Sequence, residues 1–164
     1  MKSSIGKAAF AAVLALGSAG AASAGVTVNY VQSDKFSDLP FTPWEREEVL
    51  RTLADHFAKL GKELPAGQEL TVEITDIDLA GREYPNRRSG GDLRVLQGTA
   101  DWPRIELNYS LSANGQVVDS GKVRLADMSY MSRPVRGFDS DSLRYEKRMI
   151  DEWFNKTILQ KKPG

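Results

Sequence analysis

Residues 71–81 read Thr-Val-Glu-Ile-Thr-Asp-Ile-Asp-Leu-Ala-Gly. The stretch opens as a strand with one buried face and then places two aspartates on that face. Leu70, Val72 and Ile74 share one side at period two, Asp76 and Asp78 continue it, and Ile77 and Leu79 lie opposite. A bare carboxylate buried among apolar side chains is strongly unfavourable. Three outcomes satisfy the physics: the strand leaves the core near Thr75, a bulge shifts its phase, or the aspartates have partners.

Upstream, Val26, Val28 and Tyr30 alternate with Thr27 and Asn29 and predict a first strand. Thr42-Pro43-Trp44-Glu45 predicts a helix start, with Thr42 as cap, Pro43 at the first helical position and Glu45 reaching back in a capping box. Val49, Leu50, Leu53, Phe57 and Leu60 form its apolar stripe, and Gly61 follows as a left-handed C-cap. The aromatic residues Trp44, Phe57, Trp153 and Phe154 fall on helix faces, which predicts core packing. His56 is the sole histidine and stands on the flank of the first stripe, a boundary position between core and water.

Downstream, Arg82–Gly91 reads as a loop, and Leu93–Leu96 as a short strand continued beyond Trp102-Pro103 by Ile105, Leu107, Tyr109 and Leu111. Asn114-Gly115 then closes a hairpin onto residues 117–125, with Asp127–Tyr130 a possible extension. A two-residue turn sets Leu107 against Lys122. A three-residue loop sets Leu111 by Val117 and Ile105 by Val123, and keeping both apolar faces together favours that register. Ser140 or Asp139 caps a last helix that buries Met149, Ile150, Trp153, Phe154, Thr157 and Ile158. The order predicts an α+β two-layer sandwich: a mostly antiparallel sheet of four or five strands, one helix after the first strand and one C-terminal helix.

Residues 1–24 read as a cleaved export signal. Lys2 and Lys7 flank a polar start, Ala8–Leu16 is apolar but too short to span a bilayer, and Ala22-Ser23-Ala24 fits a signal-peptidase site. The junction carries no cysteine to accept a lipid. The expected product is a single soluble domain over 25–164, periplasmic or secreted, with no transmembrane segment. The chain has 22 basic and 22 acidic residues; Lys2 and Lys7 leave with the leader, so 20 basic face 22 acidic. That balance gives no basic excess for nucleic acid. Without cysteine there are no disulfides or thiolate ligands, and the core holds the fold unaided.

With the 92–112 segment antiparallel to the second strand, one end of the sheet collects Asp76, Asp78, Arg82, Arg87, Arg88, Asp127, Arg133 and Arg136. The start of the last helix adds positive potential there. The cluster can be an Asp–Arg brace between loops, with Arg82, Arg94 or Arg104 as partners of the aspartates. It can also be a binding surface for an envelope protein or small ligand. A divalent cation on Asp76 and Asp78 is the alternative, though an isolated pair lacks a defined ligand loop. No Gly-x-Ser-x-Gly elbow, phosphate-binding glycine loop or zinc histidine pair is present, so no catalytic residues are assigned and no cofactor is expected.

Asp76–Gly81, Trp102–Ile105, Leu125–Met128, and Tyr145–Met149 with Trp153-Phe154 together resemble a bacterial family of secreted proteins, the domain of unknown function 3016. The resemblance covers nearly all of the chain after the leader. It implies a signal peptide and a single domain, and supplies no catalytic residues. At fold level the element order is similar to that of small envelope-assembly accessory domains.

Overall fold

The computed structural model describes residues 24–86, 91–98, 100–133 and 141–160. Six strands and two helices follow in the order β1 (Gly25–Tyr30), α1 (Pro43–Gly61), β2 (Gln68–Asp78), β3 (Arg82–Asn86), β4 (Gly91–Val95), β5 (Arg104–Ala113), β6 (Gln116–Ala126) and α2 (Arg144–Trp153), the last continued by a π-helical turn over Phe154–Ile158. The main sheet has four strands ordered β1-β2-β5-β6; β1 runs parallel to β2 and the remaining pairs are antiparallel. The protein is therefore α+β with a mixed sheet, and its C-terminal helix lies where the sequence placed it.

Both helices cover one face of the sheet. Leu53, Phe57 and Leu60 of α1, with Met149, Ile150 and Trp153 of α2, pack on Leu70, Val72, Ile74, Ile105, Leu107 and Leu125 in one core. The opposite face is polar: Glu73, Asn108 and Lys122 stand side by side across three strands, and Asn108 Nδ2 donates to Glu73 at 2.9 Å. This alternation of faces gives the sheet a single helical layer.

The ends of α1 differ from expectation. Pro43 occupies the first turn, but the Thr42 side chain makes no capping hydrogen bond. Arg46 ties the helix to the segment before it in a different way, donating to the carbonyls of Pro40 and Phe41 at 3.3 and 3.2 Å. Gly61 is the last helical residue rather than a left-handed cap. A Cβ there would meet Val26 Cγ2 at 2.8 Å, so glycine serves the close approach of α1 to β1. Trp44 is 64% exposed and leaves the core to Phe57, Trp153 and Phe154.

A bulge decides where the two aspartates of β2 point. Ile74 pairs with Leu107, but the next pair is Asp76 with Glu106, so Thr75 is the extra residue of β2. Thr75 Oγ1 donates to the Glu106 carbonyl at 3.3 Å. Past it the phase inverts: Ile77 faces Ile105 and both are fully buried, while Asp76 and Asp78 turn to the other side.

The 82–91 region is not a loop throughout, and 92–112 is not one kinked strand. β3 and β4 pair with each other as a separate two-stranded sheet. Gly81, at φ +82°, turns the chain out of β2, and a Cβ there would collide with the Val95 carbonyl at 2.5 Å. Asp101 then gathers the amides of Gln97 and Gly98 at 2.6 and 2.9 Å, separating β4 from β5.

The β5–β6 hairpin takes neither expected register. Asn114 and Gly115 have φ of 52° and 80°, a two-residue turn with Ala113 paired to Gln116. A shift between Leu111 and Ser112 then sets Leu107 opposite Val123 and Ile105 opposite Leu125. The bulge reconciles a tight turn with one shared apolar face. β6 ends at Ala126, and Asp127–Tyr130 is a turn rather than an extension. The cap candidates Asp139 and Ser140 lie outside the described residues; Asp141 accepts the Leu143 amide at 2.9 Å and the Lys147 ammonium at 2.6 Å ahead of α2.

Candidate functional site

The bulge, Gly81 and the Asp101 turn converge at one end of β2. A cleft of about 440 Å³ opens there, lined by Ser37, Asp38, Asp78, Gly81, Arg82, Glu83, Ala100, Asp101, Trp102 and Arg104. Asp76 accepts from the Ser37 amide and hydroxyl, each at 2.7 Å, which pins the segment before α1 to the bulged strand. Asp78 is paired with Arg104 across β2 and β5. Arg104 also lies 6.0 Å from the Trp102 ring centroid.

Arg94 clasps the cleft from behind. Its Nη1 donates to Asp38 at 2.7 Å and reaches the Ala80 and Gly81 carbonyls at 3.4 and 3.3 Å, while Nη2 donates to Glu83 at 3.2 Å. Burial opposes its charge, but the bond to Asp38 and the charges of Asp38 and Glu83 outweigh it and raise its pKa. Asp101 shows the same contest with the opposite sign. Burial favours its neutral form, yet the Gln97 amide, the Tyr130 hydroxyl and the Gly98 amide hold its pKa below the usual value. The Tyr130 hydroxyl donates to Asp101 at 2.8 Å, and its own pKa is pushed up to about 12 by burial and by that carboxylate.

Beneath the cleft is a small second core. Tyr130 and Tyr145 meet edge to face with centroids 4.7 Å apart, packed with Ala80, Leu96 and Trp102. Glu146 is 1% exposed, and its Oε1 accepts the Ala80 amide at 2.7 Å. Among the described residues its other oxygen, Oε2, has no hydrogen-bond partner. A separate ion network braces α2: Arg148 donates to Asp127 at 2.6 Å and to the Tyr130 carbonyl at 2.9 Å, while Arg133 is paired with Glu152 and lies 3.5 Å from Asp127.

The structure thus brings Asp78, Arg82 and Arg104 to the cleft wall, with Asp76 and Arg94 bonded to residues that line it. Asp127 and Arg133 belong to the brace on α2 and do not line the cleft. Arg87, Arg88 and Arg136 lie outside the described residues. Among the described residues no group of three or more His, Asp or Glu side chains is arranged to hold a metal ion. His56 stands away from this end, with Nε2 2.6 Å from Asp151 Oδ1 between α1 and α2.

Sequence reasoning missed Ser37, Asp38, Glu83, Asp101 and Glu146. Glu146 did carry a signal: it stands three and four positions before Met149 and Ile150, on the buried stripe of α2, where an acid needs a reason. Asp38 and Asp101 carried none, because only tertiary folding brings them to Arg94 and Tyr130.

Fold and site define a two-layer α+β domain with a braced polar cleft at one end of its sheet. The family described as Protein of unknown function (DUF3016) matches residues 24–156, and the chain belongs to that family. No curated protein matches the chain. The four segments that carry the resemblance meet at this end. Asp76–Gly81 touches Trp102–Ile105 through Asp78 and Arg104, and Tyr145–Met149 through Ala80 and Glu146; Leu125–Met128 joins Tyr145–Met149 through Asp127 and Arg148. No helix among the described residues is long and apolar enough to cross a membrane.

Proposed function

We propose that the protein is an exported, non-enzymatic binding module of the cell envelope, periplasmic or secreted, that uses the cleft beside Asp78, Arg82 and Trp102 to hold an envelope protein or a small ligand. The observation that carries this reading is the convergence of three separated segments, 37–38, 78–83 and 100–104, on one cleft. The brace is elaborate for a loop junction: two arginines and five carboxylates hold a wall whose inner surface is open. Rigid walls favour binding because little ordering is left to lose when a partner docks. Residues 1–24 supply the export route, and the mature chain begins at Gly25.

The test places a photo-crosslinker at Arg82 and, as control, at Lys122 on the polar sheet face, in cells irradiated before lysis. A discrete adduct at position 82, lost on Trp102→Ala and missing at 122, supports the cleft. Equal labelling at both positions overturns it. Mass analysis of the envelope fraction checks export, and intact chain beginning at Met1 there would refute the signal.

A further inference from the structure

Glu146 is the group that the brace leaves unexplained. It is a carboxyl on the buried stripe of α2, 1% exposed, that accepts the Ala80 amide at 2.7 Å and has one oxygen without a hydrogen-bond partner among the described residues. The amide it holds belongs to Ala80, whose carbonyl lies 3.4 Å from Arg94 Nη1 on the other side of the same residue. Gly81 follows, its amide bonded to the Asp101 carbonyl at 3.0 Å and its carbonyl 3.3 Å from Arg94. Ala80 and Gly81 are therefore held from three directions, and Gly81 lines the cleft.

We infer that Glu146 is a proton-sensitive strut of the cleft: as a neutral acid it holds Ala80 in place, and on ionisation it releases Ala80–Gly81 and draws on the Arg94 clasp. The inference rests on reading the cleft as the site. A neutral carboxyl accepts the Ala80 amide on its carbonyl oxygen and is spared the cost of a buried charge, which exceeds that of one unpaired O–H. A carboxylate needs several donors or water, and burial gives it neither. The cations facing it among the described residues are Arg94 from β4 and Arg144 from its own helix; Tyr130, Tyr145 and Asp101 surround the adjoining small core. Arg94 is already engaged with Asp38 and Glu83. An ionised Glu146 is satisfied by pulling Arg94 inward, away from those two acids, or by admitting water beside Ala80. Either response moves the cleft wall.

Burial raises the Glu146 pKa above its ordinary 4.5, against the smaller opposing pull of the Ala80 amide, its own backbone amide, Arg94 and Arg144. The linkage sign follows. Below 4.5 the group is neutral in folded and unfolded chains, and its contribution is fully present; as pH rises through the folded value that contribution is lost.

The test is hydrogen exchange of the ligand-free protein from about pH 5 to about pH 9, the range buried glutamates reach, with each rate divided by its intrinsic value. Wild type should lose protection at Ala80 and Gly81 by about tenfold per pH unit as pH rises from the ordinary value of 4.5 towards the folded value, and level off above it. Glu146→Gln, which keeps the acceptor and cannot ionise, should hold a flat profile. Identical profiles in the two proteins overturn the proposal. So does a loss spread equally over Ile74 and Ile105, which would report global opening rather than a local strut. Should E146Q fail to fold, the carboxyl carbon of Glu146 in wild type is followed by NMR, and titration at the ordinary value overturns the inference. None of these readouts involves a partner, so this result and the crosslinking result stand or fall separately.

Discussion

Arg94 and Asp38, 56 residues apart, are joined by a 2.7 Å ion pair that ties β4 to the chain entering α1. The same guanidinium bonds Glu83 across β3 and β4, so one side chain fastens the small sheet to the segment before α1. Arg94→Ala leaves two partly buried carboxylates without their cation and should cost about 2–3 kcal/mol, the range for charged hydrogen bonds. Arg94→Lys should recover little of it, because an ammonium cannot match the spread of a guanidinium. Urea unfolding measures both, and equal stability of wild type and R94A would refute the clasp.

Asp76 and Asp78 are partnered, but unequally. Arg104 is 36% exposed, so its pair with Asp78 is screened and worth at most about 1 kcal/mol. Asp76→Asn keeps one acceptor for Ser37. The double variant D76N/D78N should therefore lose about 1–2 kcal/mol in total. Added divalent metal or chelator should shift the melting temperature of neither wild type nor variant. A metal-dependent rise in wild type alone would restore the cation reading.

The Asp127–Arg148 pair is buried on both sides, at 7% and 12% side-chain exposure. Removing Arg148 strands Asp127 in the interior, since Arg133 is half exposed and turned to Glu152. Arg148→Met should cost about 3–5 kcal/mol, and the double change D127N/R148M should cost less than R148M alone because the stranded charge is gone. A double-mutant cycle decides it, with additive losses counting against the pair.

Asp101 sets an acid limit. Its folded pKa is depressed below 3.8, so its contribution is present above 3.8 and is lost as pH falls through the folded value. Asp101→Asn should be less stable than wild type near neutral pH, and the gap should narrow in acid. Trp102, beside Asp101 in the cleft, gives a fluorescence readout. A gap that stays constant into acid would remove the carboxylate from the explanation.

The fold was largely legible because its periodicities are clean. Val26, Val28 and Tyr30 marked β1, the stripe from Val49 to Leu60 marked α1, and the α+β class followed from their order. The errors share a cause. Gly61 was read for its backbone freedom, whereas its missing side chain matters against Val26. The hairpin choice weighed turn length against facial alternation, and an extra residue beside Leu111 satisfied both. The site was half legible: Asp78 with Arg104 and Glu83 with Arg94 are neighbours across ladders, but Asp38 and Asp101 reach Arg94 and Tyr130 only through loop closure, which leaves no local pattern.

Thr75 gives β2 a change of reading frame. Upstream of it even positions face the helices; downstream odd ones do. One continuous strand can then supply core with its first half and cleft with its last, each side chain answering to a different neighbour. Pairing Thr75 into the ladder instead of leaving it out would restore a single frame and turn the strand's end inside out, with Asp76 and Asp78 facing the core and Ile77 in water. The cleft can thus change in composition without disturbing the hydrophobic interior, provided that Thr75 stays out of the ladder.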